Sequence, residues 1–137
     1  MKRYKVEYEF KYADADISDG KYHIDYLDNN GCGFTFDEAE HIASELRASV
    51  IQDTKWVEIQ EMKIKYETYR TATGWHIRTR DTRYTEREAW LYVSKVHRDG
   101  TYSFMMDYTY AKDFSEKTAK KHLAILNNNQ IHPLSLQ

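Results

Sequence analysis

Cys32 is the only cysteine among 137 residues and Pro133 the only proline. A single thiol excludes an internal disulfide framework and a multi-cysteine zinc site. No apolar run approaches the roughly 20 residues that a membrane-crossing helix needs. The opening Met1-Lys2-Arg3-Tyr4-Lys5 leads into alternating charge rather than an apolar signal segment. A cytoplasmic protein without a membrane partner is therefore expected. The usual core-forming residues are also scarce: Leu, Ile, Val and Phe together number 26. That share would suggest disorder in a highly charged chain, but the net charge is only −2. Twelve Tyr and three Trp supply the missing apolar volume, and such side chains favour pleated, half-buried surfaces over helix bundles. A chain of this length can bury about 68% of its unfolded surface, enough for a real core.

The five glycines punctuate the pattern. Asp19-Gly20 and Asp99-Gly100 sit between alternating runs, a hairpin signal, and Gly74 closes a third turn. Tyr4, Val6, Tyr8, Phe10 and Tyr12 alternate with Lys5, Glu7, Glu9 and Lys11, which reads as a strand with one buried face. Tyr22, Ile24 and Tyr26 continue that face, so 3–13 and 21–28 are expected to pair, leaving His23 and Asp25 outward. Thr35 and Glu38 form a capping-box signature ahead of Ala39, Ile42, Ala43 and Leu46 at helical spacing, giving a helix over about 36–50. Between 55 and 70 the alternation slips: Val57 and Ile59 are odd, Met62, Ile64 and Tyr66 even. A phase change of this kind implies a bulge or a strand crossing between sheet regions. Residues 88–97 and 101–110 read as another hairpin, and 115–127 as a second helix with Ala119, Leu123 and Leu126 inward. One domain is expected over 1–127, with a fraying tail over 128–137.

Shifted by 80 residues, 4–46 and 84–126 share eight identities without a gap, among them Tyr4/Tyr84, Phe34/Phe114 and Leu46/Leu126. Turn, cap and core positions coincide. The expected class is α+β: a twisted antiparallel sheet of about six strands with two helices on one face, ordered ββα–ββ–ββα as a duplication.

Chemistry-bearing residues are dispersed. His23 and Asp25 share a strand face, but no nucleophile accompanies them. His41 and Glu45, with Asp37 a turn earlier, have metal-ligand spacing on a helix but no third and fourth ligand, and the spacing suits a surface pair. Cys32 precedes a helix N-terminus, where its small size in a turn explains it. Gly31 and Gly33 lack the third Gly, or the Gly-Lys-Ser/Thr, of the nucleotide fingerprints. No enzyme activity, metal or cofactor is expected.

Gly33-Phe34-Thr35-Phe36-Asp37-Glu38-Ala39-Glu40 resembles the strand-to-helix junction of arm-type DNA-binding domains of phage integrases, which read Gly-Phe-x-Thr-x-x-Glu-Ala. The likeness spans about eight residues and is one residue shorter between Phe34 and Thr35. It implies a small three-stranded sheet with one packed helix. That family binds DNA through a basic sheet, whereas the half that carries the likeness is acidic.

Charge is indeed uneven. Residues 1–50 are net −5 and residues 51–137 net +3. Seven basic residues fall within 63–87: Lys63, Lys65, Arg70, Arg78, Arg80, Arg83 and Arg87. With Thr71 to Gly74 as the turn, Arg70 faces Trp75, Glu67 faces Arg78, and Lys65 faces Arg80, a like-charge pair. Lys63, Lys65, Tyr69, His76, Arg78, Arg80 and Arg83 are the candidate binding residues. The leading expectation is a non-enzymatic interaction protein, with a protein partner favoured, of the sort found as accessory or inhibitor proteins of mobile elements; self-pairing of strand edges would give a homodimer. One alternative is a nucleic-acid-binding module using the basic 63–87 hairpin. A second is a small-ligand binder with a Tyr-lined pocket near His23 or His41.

Overall fold

The computed structural model describes residues 2–84 and 86–134. Its elements are β1 (Tyr4–Tyr12), β2 (His23–Leu27), α1 (Phe36–Ala48), β3 (Gln52–Glu61), β4 (Tyr66–Arg70), β5 (Trp75–Arg80), β6 (Trp90–Val96), β7 (Tyr102–Met105) and α2 (Glu116–Asn128). The class is α+β. Instead of one sheet of about six strands there are two antiparallel sheets, ordered β2-β1-β3 and β4-β5-β6-β7. The phase slip between Ile59 and Met62 marks the change of sheet: β3 ends at Glu61 and β4 begins at Tyr66. The chain correspondingly divides into two compact units, residues 2–62 and residues 63–134. No described helix is long and apolar enough to cross a membrane.

In residues 2–62, α1 lies across β1 and β3, burying Ala39 and Ala43 on Val6. Their small side chains let the helix approach closely, while Tyr4, Phe34, Ile42, Leu46, Val57 and Ile59 close the core. The capping box is complete: the Glu38 amide donates to Thr35 Oγ1 at 3.2 Å, and the Thr35 amide to Glu38 Oε1 at 3.0 Å. Just before the cap, Phe34 and Tyr4 exchange backbone hydrogen bonds of 2.8 and 2.9 Å. Gly33 makes that return possible, with φ at +79° and space so tight that a Cβ would lie 2.8 Å from Arg3 Cβ.

The faces of β2 are the reverse of those expected. Leu27 pairs with Val6, Asp25 with Tyr8 and His23 with Phe10. Even residues of β1 thus oppose odd residues of β2, so His23 and Asp25 share the Val6 face and Ile24 and Tyr26 the face of Glu7 and Glu9. The long turn changes parity, and a one-residue change of register exchanges every side chain between faces. Because α1 packs on β1 and β3 only, every residue of β2 is exposed.

In residues 63–134, α2 crosses β4 and β5 over a core of Ile64, Tyr66, Ile77, Val93, Phe114, Ala119 and Leu126. Amide side chains complete the outer edge of β4. Asn127 Oδ1 accepts from the Tyr66 amide at 2.8 Å and its Nδ2 donates to the Tyr66 carbonyl; Gln130 does the same for Ile64 at 2.9 and 3.1 Å. Edge groups that would otherwise invite another strand are satisfied within the chain. The Tyr66 hydroxyl donates to the Ile131 carbonyl, which ties the chain down beyond the helix. Residues 135–137 of the expected tail lie outside the described residues.

The helices and their caps, Thr35 and Ser115, are 80 residues apart. The strands are not. Phe34 bridges to Tyr4 and Phe114 to Trp75, an offset of 71, and β6 begins only at Trp90. The order is ββαβ then ββββα, so the expected ββα–ββ–ββα order is not what the chain adopts. A loop built on Asp81 occupies the position where the counterpart of β1 would start.

Candidate functional site

The β4–β5 turn forms where Gly74 puts it, with the Thr71 amide donating to the Gly74 carbonyl at 2.7 Å. Its register pairs Arg70 with Trp75, Glu67 with Arg78 and Tyr69 with His76. On the next strand, Arg78 pairs with Tyr92 and Arg80 with Trp90. Since Tyr66, Ile77 and Val93 turn toward α2, alternation sends Glu67, Tyr69, His76, Arg78, Arg80, Trp90 and Tyr92 to the opposite, outer face.

Arg78 organises that face. Its Cζ lies 3.8 Å from the Trp90 ring centroid and 4.6 Å from that of Tyr69, while Nε donates to Glu67 Oε1 at 2.8 Å. A guanidinium between two rings gains about 0.5–2 kcal/mol per cation–π contact, more as water is excluded. Burial pulls the Arg78 pKa down, but the Glu67 and Tyr92 side chains outweigh it and hold it above the ordinary value. Arg80 Cζ lies 5.2 Å from the Trp90 ring, and Tyr92 stands edge-on to Tyr69 at 6.4 Å. Burial, then Tyr92, raises the Tyr69 pKa, so its hydroxyl stays protonated.

A chain of hydrogen bonds fixes the other end. Buried His76 has Nε2 2.7 Å from Asp113 Oδ1 and Nδ1 3.1 Å from the Tyr69 hydroxyl. With Asp113 ionised and the ring neutral, Nε2–H donates to Asp113 and Nδ1 accepts from Tyr69. Asp113 is held below the usual carboxylate range by the His76 bond first and by Thr73 second. The assembly is a positioning device: Asp113 orients His76, which orients Tyr69, whose ring supports Arg78.

Tyr69, His76, Arg78 and Arg80 are therefore brought together. Lys65 falls one residue outside the ladder, its carbonyl accepting from Thr79 Oγ1 at 2.8 Å, and Arg80 turns to Trp90; the expected Lys65–Arg80 cross-strand pair does not form. Lys63 is exposed ahead of β4. Arg83 is elsewhere, clamped on fully buried Asp81 by bonds of 2.9 and 2.7 Å. Trp90, Tyr92 and Asp113 were not among the candidates. The alternation of 88–97 contained the first two, but only the β5–β6 register places them beside Arg78.

The other candidates have local partners. His23 Nε2 lies 2.7 Å from Asp19 rather than reaching Asp25, which accepts from the Tyr26 amide. His41 and Glu45 form a 3.1 Å surface pair, and no metal-binding group of three or more ligands occurs among the described residues. The Cys32 and Gly33 amides donate to the Asn29 and Asp28 carbonyls at 3.1 and 2.7 Å, so those loop donors are already used.

The division between the units sharpens the charge asymmetry. Residues 2–62 hold seven Lys and Arg against fourteen Asp and Glu; residues 63–137 hold thirteen against eight. The outer aromatic face belongs to the positive unit. In comparison with known proteins, the chain matches no family model, no curated protein and no solved structure.

Proposed function

We propose that this is a non-enzymatic binding protein that docks an anionic macromolecular partner on the outer face of the β4–β7 sheet. The observation that carries the reading is the Tyr69–Arg78–Trp90 stack, locked by Glu67 on one side and by the His76–Asp113 pair on the other. Tyr, Trp and Arg are the residue types that dominate binding energy at macromolecular interfaces. Their rotamers here are fixed in advance, which lowers the entropy lost on docking. The excess of five positive charges in residues 63–137 selects for an anionic surface, whether on a protein or on a nucleic acid.

Affinity capture with the tagged full chain, with and without nuclease, tests the face when run beside the double variant Arg80→Ala/Trp90→Leu. The wild type is expected to recover a partner that the variant loses while its circular dichroism spectrum is unchanged. Recovery of the same partners by both proteins would remove this face from the function.

A further inference from the structure

Resting on that docking face, we infer that the anion it takes is single-stranded nucleic acid, with bases stacking on the Trp90, Tyr92 and Tyr69 platform and phosphates meeting Arg80, Lys65 and Lys95. Three observations converge on this chemistry. The first is what Arg78 offers. Its Nε–H is engaged by Glu67 at 2.8 Å and its plane is packed on the Trp90 and Tyr69 rings, so it fixes those rings and leaves no unpaired charge at the centre of the face. An acidic peptide needs a free charge there, whereas a nucleobase needs fixed ring surfaces, because bases stack on aromatic side chains.

The second observation is the rim. Val93 and Val96 both turn to the core across a register break between Val93 and Lys95, which leaves exposed Lys95 on the outer face beyond Tyr92. Lys65 and Arg80 are exposed at the other end, and no carboxylate pairs with Lys65, Arg80 or Lys95 among the described residues. Cations thus flank a central aromatic patch, the arrangement that tracks a phosphate backbone while bases stack.

The third observation separates single strands from duplexes. Groove reading needs a helix or ribbon that enters the groove. Here α2 covers the inner face, and the outer face is a sheet surface with half-buried rings. Such rings reach only bases that have left the helical stack.

Fluorescence anisotropy with the full chain and labelled 15-nucleotide DNA and RNA strands, a 15-base-pair duplex and a poly-glutamate peptide tests the assignment. Single strands are expected to bind at least tenfold tighter than the duplex or the peptide. Trp90→Leu should weaken single-strand binding about five- to hundredfold. Lys65→Ala/Arg80→Ala, on exposed side chains that leave folding intact, should reduce the steepness of the salt dependence by about 0.7 for each phosphate no longer neutralised. Duplex binding equal to or tighter than single-strand binding overturns the inference, as does single-strand affinity unchanged in both variants. If no strand binds but a captured protein is lost by Arg80→Ala/Trp90→Leu, the docking face stands and the nucleic-acid assignment falls. If neither is lost, both fall.

Discussion

Residues 2–62 and residues 63–134 each back a sheet with a thirteen-residue helix, yet they use cation–aromatic contacts differently. In the first unit, Lys5 lies 5.3 Å from the Tyr26 ring centroid, and Lys11 and Lys55 lie 5.0 and 5.3 Å from that of Tyr22. Glu9 accepts from Trp56 Nε1 at 2.6 Å, and Asp53 from the Tyr22 hydroxyl at 2.7 Å. These are hydrated point charges resting on exposed rings. In the second unit a planar guanidinium lies between two rings and is fixed by a carboxylate. Arg and Lys are not equivalent in this role: Arg keeps its stacking plane after its donors are taken, whereas Lys has only its charge. The contrast is the basis on which a stacked, anionic ligand is proposed for the second face although both faces are rich in aromatics. The cores differ too. The first is centred on Val6, Ala39 and Ala43, and the second on seven buried residues that include Tyr66, Ile77 and Leu126.

That difference in core size sets the largest expected effect. Leu126→Ala should cost the second unit about 2–5 kcal/mol by opening a cavity. Val6→Ala removes two methyl-sized groups and should cost the first about 2 kcal/mol. Urea unfolding followed by hydrogen exchange on peptides from each unit measures both. A larger loss for Val6→Ala would overturn the ranking of the cores.

Next comes the Asp81 loop. Burial pushes the Asp81 carboxyl up, but the bonds from Arg83 outweigh it and hold the group below its ordinary 3.8. A folded-state pKa depressed in this way contributes stability above pH 3.8 that is lost as pH falls through the folded value. Arg83→Ala leaves the carboxylate buried without its main partner and should cost about 3 kcal/mol at neutral pH. Burial then acts with less opposition and the carboxyl pKa rises, so the deficit should shrink as pH approaches 4. A deficit that grew on acidification would contradict this account of Arg83.

How much of this was legible beforehand depends on the range of the interaction. Both helices and the capping box were readable because a cap, a four-residue period and an Asp-Gly turn are local. The β4–β5 register was readable because Gly74 lies four residues from Arg70 and fixes it. The faces of β2 were not, since the parity across a ten-residue turn depends on its closure rather than on any residue within it. The change of sheet appeared only as the parity slip between Ile59 and Met62, which fits a bulge equally well. Three residues of the site were missed for the same reason: Trp90 and Tyr92 reach Arg78 through the β5–β6 pairing across the Asp81 loop, and Asp113 reaches His76 from 37 residues away. Charge counting located the basic segment without distinguishing Arg78, held in the stack, from Arg83, held in a loop.

A smaller effect separates the two units by pH. His122, on α2, bonds to the Tyr102 hydroxyl at 2.8 Å and packs at a tilt against Phe114. Its pKa is lowered below 6.5, by burial first and then by Lys121 and Lys112. The neutral ring is the folded form, so the unfolded chain takes up the proton first as pH falls below 6.5, and stability declines in that range. Melting temperature should fall between pH 7.5 and 5.5, with loss of exchange protection in the second unit. His122→Gln, which retains an acceptor for Tyr102, should flatten that part of the decline.

The smallest expected effect compares the caps, which look alike in sequence. Thr35 has the reciprocal partner Glu38, whereas Ser115 has Thr118 at the same position, its hydroxyl 2.9 Å away. Thr35→Ala removes the acceptor of the Glu38 amide and the hydroxyl's bond to the Glu38 carboxylate, which keeps its bond from the backbone amide of residue 35. Ser115→Ala breaks two neutral bonds, from the Thr118 amide at 3.2 Å and to the Thr118 hydroxyl at 2.9 Å. Each should cost about 0.5–2 kcal/mol, with Thr35→Ala the larger because one of the bonds it removes is to a carboxylate, whereas both at Ser115 are neutral. Exchange rates of amides in the first turn of each helix measure this locally. Equal changes at both helices would mean that the Glu38 bond adds nothing to the cap, and that the acidic unit gains no helix stability from a carboxylate placed at the positive end of its dipole.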